Sequence, residues 1–335
     1  MICITGANGW LGLSVAEAVS KSDAFKNQEV RGFILSGSDS TKLRAVCSGI
    51  RIHEGDLRTG AGLDEFLEGG AGGIIIHTAG IIHPAKVADF YEVNRDGTRR
   101  LLEAAAAKGL RRAVVVSSNS PCGCNPHPDH LFDEESPYDP YMNYGRSKME
   151  MELLALDMHR RGAIEVVIIR APWFYGPNQP PRQKLFFEMI RDGKAPIVGS
   201  GENLRSMAYT ENLAQGLLLA ASVPAASGQI YWIADERPYS RNEIVDTIER
   251  LLETEFGQKC AHKRMRLPGL ASELALAADA VLQHLGLYQQ KIHVLSEMNK
   301  TIACSVEKAK RELGYRPTIA LEDGMRRSLR EVQKG

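Results

Sequence analysis

The sequence predicts a doubly wound α/β protein, a parallel sheet with helices on both faces, and three observations carry that reading. Its short β-branched runs are continuously apolar, the pattern of strands covered on both sides. Stretches of helical length separate them, which makes βαβ units. A glycine-rich turn joins the first run to the first helix. At 335 residues, 44% hydrophobic and 24% charged, the chain is long enough for one large or two intimate domains, and it is neither disordered nor fibrous.

In chain order, Ile2-Cys3-Ile4-Thr5 reads as the first strand and residues 11–22 as the helix after it. Further strands are expected at 30–35, 51–53, 73–77, 113–117 and 166–170. The glycines of 69–73 make a flexible turn ahead of a buried strand. Beyond Arg170 the texture changes, because Pro172, Gly176, Pro177, Pro180 and Pro181 break a long irregular stretch. Ser240-Arg241-Asn242-Glu243 has capping-box spacing and predicts a helix start. Residues 308–313, followed by Gly314 and Pro317, read as a helix with a glycine cap and a proline stop.

Lys plus Arg and Asp plus Glu are 41 each, so the chain lacks the positive field that nucleic-acid binding needs. Its six cysteines are scattered over the length, as reduced thiols of a cytosolic protein are. Cys122 and Cys124 are the only close pair, and no second pair or histidine cluster completes a zinc set, so no metal is expected. Met1 precedes an apolar strand with no leader-like segment, and no run reaches the ~18 apolar residues that span a bilayer. A cytoplasmic location without a transmembrane segment is the expectation.

Gly6-Ala7-Asn8-Gly9-Trp10-Leu11-Gly12 follows a strand and opens a helix. Glycines at this spacing allow a tight turn, close approach to a pyrophosphate and close helix–strand packing, while the helix N-terminus supplies free N–H groups. A dinucleotide site of Rossmann type is expected there. NAD and NADP are not separated: residues 33–39 end the second strand without an acid or an arginine, and Asp39, Lys42 and Arg44 all stand within the loop beyond.

Tyr144 and Lys148 are four residues apart at the start of a helix expected to run to about residue 161, so phenol and ammonium share a face one turn apart. A neighbouring ammonium lowers a phenol's pKa and fits it for proton exchange near neutrality. Ser117-Ser118-Asn119-Ser120 follows the fifth strand, where ligands gather in open parallel sheets.

The matching blocks run over nearly the whole chain. They are Thr5 to Gly12, Gly55-Asp56-Leu57, His77-Thr78-Ala79-Gly80, Val93-Asn94, Gly97-Thr98, Ser117-Ser118, Tyr144 to Lys148 and Arg170 to Pro177, and near the end Tyr209 to Ala214 and Lys308 to Tyr315. In this order they resemble the extended short-chain dehydrogenases/reductases, the NAD-dependent epimerase/dehydratase and 3β-hydroxysteroid dehydrogenase group. The resemblance implies a nicotinamide-binding part at 1–170, with contributions from about 205–235, and a smaller mixed α/β part at 171–335 that binds a small-molecule substrate. It implies Tyr144 as general acid/base, Lys148 as partner of the nicotinamide ribose that depresses the Tyr144 pKa, and Ser118, with Ser120 the runner-up, as the group orienting the substrate oxygen. Asp56 and Leu57 would flank the adenine. Thr78 belongs to the same strand-end block, and Ala79 and Gly80 would pass under the cofactor. Pro172 would approach the nicotinamide, and Asn94 would brace this side of the sheet. Pairing through helices near Ala104 to Ala107 and Tyr144 would make a homodimer.

Departures from the resemblance narrow the reaction. Asn119 and Ser120 stand where the 4,6-dehydratases carry an acid pair, which disfavours dehydration. Arg205 matches one arginine of nucleotide-sugar epimerases, while 298–306 lacks the expected second one. Residues 74–82 and the insert from Leu267 favour a hydroxysteroid dehydrogenase or ketoreductase, with the epimerase as alternative and a non-catalytic nucleotide-binding protein as a third reading. In that insert Leu274, Ala277, Ala278, Val281, Leu282 and Leu285 form a helical stripe. The stripe predicts a core-facing helix, ahead of a lid or a membrane-surface contact.

Overall fold

The computed structural model describes residues 1–334. From β1 (Ile2–Thr5) the chain passes through α1 (Trp10–Lys21) to β2 (Val30–Leu35), α2 (Thr41–Val46), β3 (Arg51–Gly55), α3 (Leu63–Leu67) and β4 (Ile74–His77). Next come α4 (Val87–Phe90), a π-helical stretch over Tyr91–Gly97, α5 (Thr98–Ala107), β5 (Arg112–Ser118), α6 (Met142–Arg160) and β6 (Glu165–Ala171). The later half holds β7 (Trp173–Tyr175), α7 (Pro181–Arg191), β8 (Pro196–Val198), β9 (Leu204–Arg205), β10 (Met207–Tyr209), α8 (Thr210–Ser222), β11 (Ile230–Trp232) and β12 (Tyr239–Ser240). It ends with α9 (Arg241–Thr254), β13 (Met265–Leu267), α10 (Leu270–His284), α11 (Gln290–Glu297), α12 (Glu307–Leu313) and α13 (Leu321–Lys334).

Seven strands form one parallel sheet in the order β11-β6-β5-β4-β1-β2-β3. The apolar runs are buried on both sides, as their lack of alternation requires: Ile2, Cys3, Ile4, Ile75, Ile76 and the run from Val166 to Ile169 have no exposed surface. One face packs against α1, α8 and α12, the other against α3, α5 and α6. Strand order reverses between β1 and β4, so the loops after these two strands open a crevice, the usual ligand position of such sheets. A third core under α7, α9 and α13 belongs to the later half.

Local signals hold where their chemistry is explicit. Ser240 Oγ accepts from the Glu243 N–H at 3.0 Å to cap α9, and Gly314 closes α12 at φ 70°. The α10 stripe corrects its sequence reading. Leu270, Leu274, Val281 and Leu285 are exposed, whereas Ser272, Asp279 and Gln283 are buried. The helix faces inward with its polar side, because that side meets other polar groups it can bond.

Candidate active site

The glycines of the first loop are there for room. Gly6 sits at φ +63°, and a Cβ on it would lie 2.9 Å from the Ala79 backbone. A Cβ on Gly12 would come within 2.1 Å of Gly6 O. Gly9 is the exposed N-cap of α1 and offers no side-chain cap, so the first N–H groups of α1 remain for a ligand. Asn8 donates to Asp39 O at 3.1 Å, tying this loop to the one after β2. Trp10 Nε1 donates to Pro177 O at 2.7 Å and its ring lies 5.0 Å from Phe174, which ties the same loop to the later half. Leu11 is buried in the core beneath. An uncapped helix end behind a turn too tight for any Cβ fits a pyrophosphate.

The neighbouring loops complete the crevice. Thr78 Oγ1 donates to Thr5 O at 2.7 Å, which holds Ala79 against Gly6. Gly80 is exposed beside Asn94 Oδ1. Asn94 accepts from the Ile81 N–H and donates to Ile81 O and Ser147 Oγ, joining the loop after β4 to α6. It does so from within the π-helical stretch, a distortion that often marks functional sites. Asp56 is partly accessible, its carboxylate accepting from the Arg58 N–H at 2.8 Å. Leu57 points into the core under Gly97, so its side chain is a support of this loop. Asp39, one candidate for the ribose, uses Oδ1 to hold the Thr41 N–H and hydroxyl.

At the carboxyl end of β5, Ser118 is buried and its hydroxyl lies 3.3 Å from Ser120 Oγ. Tyr144 and Lys148 project from the first turns of α6, which is fixed to β6 by the buried Arg170–Glu152 pair at 2.8 Å. Burial pushes the Tyr144 phenol up to about 12, against the pull of the Ser118 hydroxyl and with a further push from Glu297. Burial brings the Lys148 ammonium down to about 8, Glu152 opposing. Lys148 Nζ donates to Val116 O at 2.8 Å and to Met151 Sδ. The expected relief of Tyr144 by Lys148 is therefore absent in this structure: the ammonium is bonded to the strand and its charge does not offset the desolvation of the phenol. Pro172 is buried just past β6.

Beneath the crevice, His77 joins Thr5 and Thr98 through hydrogen bonds of 2.6 and 2.8 Å. Burial lowers its pKa to about 3, with a smaller push from Lys148. A pKa depressed in the folded state gives stability that is present above the unfolded value of about 6.5 and is lost as pH falls through the window down to 3. Unfolding measurements should show ~2 kcal/mol lost from this group between pH 6.5 and 5. His77→Gln should flatten that slope, and an unchanged slope would contradict the assignment.

The sequence reading passed over the walls of the cleft. Phe90 lies 5.6 Å from the Tyr144 ring and 5.2 Å from Tyr288, and Tyr288 also stacks on His83. Trp173 packs between Phe186 and the Arg241 guanidinium, at 5.6 and 5.8 Å. Burial, reinforced by Arg205, pushes Arg241 down to about 9 despite the countering charge of Glu297. Arg205 donates to Glu297 O and lies 3.9 Å from its carboxylate. Arg241 has no ion-pair partner among the described residues. A second arginine thus stands near Arg205, at the start of α9. A cation at a helix N-terminus opposes the dipole, and that was the available signal.

Comparison with known proteins gives the family. A family model described as the NAD dependent epimerase/dehydratase family matches residues 2–234. The chain belongs to that family. It is an NAD-dependent enzyme of the extended short-chain dehydrogenase/reductase type on a Rossmann-like sheet. An uncharacterized protein of Sinorhizobium fredii is 51% identical, covering 98% of this chain and 94% of its own length. The human 3 beta-hydroxysteroid dehydrogenase type 7 is 29% identical over 78% of this chain and 76% of its own. Among solved structures, the dTDP-glucose 4,6-dehydratase DesIV from Streptomyces venezuelae, with NAD bound, superposes with a TM-score of 0.78 at 25% identity, covering 100% of this chain and 97% of that one. Among the described residues no helix is long and apolar enough to cross a membrane.

Proposed function

We propose that this enzyme transfers hydride between NAD and a secondary alcohol or ketone carbon, with Ser118, Tyr144 and Lys148 as its catalytic set. The observation that carries the reading is the convergence of these three residues at the carboxyl end of β5 and the start of α6, beside the glycine loop. NAD supplies the hydride acceptor or donor. The loop of Gly6, Asn8, Gly9, Trp10, Leu11 and Gly12 would hold its pyrophosphate, Asp56 and the backbone at Leu57 its adenine side, and Thr78, Ala79, Gly80, Pro172, Tyr144 and Lys148 the nicotinamide side. Tyr144, protonated at neutral pH, would give its proton to a ketone oxygen, with Ser118 holding that oxygen as charge develops. In the reverse direction the phenol must lose its proton first. Lys148 assists that step only after its ammonium leaves Val116 O.

Dehydration is disfavoured because Asn119 and Ser120 are not an acid–base pair. The aromatic walls suit the hydroxysteroid dehydrogenase or ketoreductase reading. Arg241 favours the alternative, a nucleotide-sugar epimerase, because Glu297 is shared with Arg205 and an anionic diphosphate would give the half-buried Arg241 guanidinium an ion pair of its own. Keto-esters and hydroxysteroids are assayed by NADH absorbance, and sugar nucleotides by chromatographic separation of the epimers, since an epimerase returns the hydride to its substrate with no net change in NAD; conversion of sugar nucleotides is the expected outcome. With such a substrate, Arg241→Met should raise KM by ~10–100-fold with kcat little changed, and should raise the melting temperature of the ligand-free enzyme. Turnover confined to hydroxysteroids, indifferent to Arg241→Met, would return the assignment to the dehydrogenase reading.

A further inference from the structure

Helix α10 is mounted with Ser272, Asp279 and Gln283 inside. Asp279 accepts from His293 Nδ1 at 2.7 Å and from Gln283 Nε2 at 2.9 Å, and Ser272 donates to Leu295 O at 2.8 Å. Gln283 Oε1 in turn accepts from the backbone and side-chain N–H groups of Asn143, on the helix of Tyr144. Rolling α10 to hide its leucines would break this network, so the orientation is fixed. The outward side carries Leu270, Leu274, Val281 and Leu285, each 61–67% exposed, and Leu287 follows at 52%. Contiguous large aliphatic side chains of this kind mark an interaction surface.

We propose that this face seats the enzyme on the surface of an anionic phospholipid bilayer, with the leucines of α10 in the boundary between headgroups and acyl chains. Charge complementarity selects this occupant. Lys86, whose backbone bridges to Leu287, and Lys291 at the start of α11 are exposed, and neither has a carboxylate partner among the described residues. Arg182, near His83, is likewise unpaired among them. Glu273, the exposed acid of the same helix, is held by Lys300 and Asn299. Apolar side chains rimmed by free cations are what an anionic interface attracts. The face is continuous with the cleft, since Tyr288 bonds His83 at 2.8 Å and packs on Phe90 beside Tyr144.

The test needs no substrate and is independent of the proposed reaction. The full-length protein is sedimented with vesicles of phosphatidylcholine alone and of phosphatidylcholine mixed with phosphatidylglycerol. Expected is binding to the mixed vesicles that weakens with salt, and a loss of roughly tenfold or more in the partition coefficient for L274E/V281E/L285E. That variant should keep the wild-type melting temperature, because the three side chains face water. Lys86→Glu with Lys291→Glu should weaken binding to the mixed vesicles. Wild-type protein that stays in the supernatant with both vesicles overturns the proposal, as does equal binding by the triple variant. A wild-type dimer that the triple variant converts to monomer, without vesicle binding, overturns it too and makes the face an interface between two copies.

Discussion

Tyr144→Phe should lower turnover by ~10²–10⁴-fold while the protein still binds NAD. The substitution removes one oxygen and leaves the ring packed on Phe90, so folding and the glycine loop are unaffected. What disappears is the only phenol on the face of α6 shared with Lys148. Burial holds that phenol protonated to about pH 12, so it is a ready donor in the reductive direction. In the oxidative direction the wild-type rate should climb as pH rises, because deprotonation of the phenol becomes progressively easier, and the variant should show no such climb. Rates are read as product formed by chromatography, with NADH absorbance for substrates oxidised or reduced outright, and NAD binding is read as quenching of tryptophan fluorescence. Full turnover in the variant would assign the proton to another group.

Gly12→Ala should be the most damaging small change in the cofactor site. A Cβ there would lie 2.1 Å from Gly6 O and 2.8 Å from Ala7 Cα, both backbone atoms that cannot swing aside. The start of α1 must then retreat from the end of β1, which pulls its free N–H groups off the pyrophosphate position. Overpacking of this kind costs about 1–3 kcal/mol of stability, and NAD affinity should fall by roughly tenfold or more, about 1.4 kcal/mol. Gly49→Ala is the control, since nothing stands within 4 Å of its Cβ position. Calorimetric titration with NAD distinguishes the two variants, and equal affinities would contradict this account of the loop.

The parts legible in the sequence are those where one physical requirement admits one answer. Ile2 to Thr5 and Val166 to Arg170 have no polar alternation, so only a doubly covered sheet accommodates them. Gly6 and Gly12 stand where no side chain fits, and Ser240 with Glu243 satisfies the open end of α9. The α10 stripe misled because periodicity states that a helix has two faces without stating which is covered. Asp279 and Gln283 are themselves four residues apart, an equally regular polar stripe, and the partners that decide between the two lie on Asn143 and His293. Arg241 was hidden inside a capping motif that already explained its neighbours. Lys148 was expected to relieve Tyr144 from spacing and from the resemblance, and spacing gives a shared helix face without the Val116 carbonyl that holds the ammonium.

A crystal structure of the NAD complex tests the central assignment most directly. The account predicts the pyrophosphate over Gly9 and the N-terminus of α1, Lys148 released from Val116 O towards the ribose, and the Tyr144 hydroxyl within hydrogen-bond reach of an oxygen on a carbon set against the hydride-bearing position of the ring. A complex with the nicotinamide ring out of reach of Tyr144, its phenol still closed off against Phe90 and Tyr288, would contradict it.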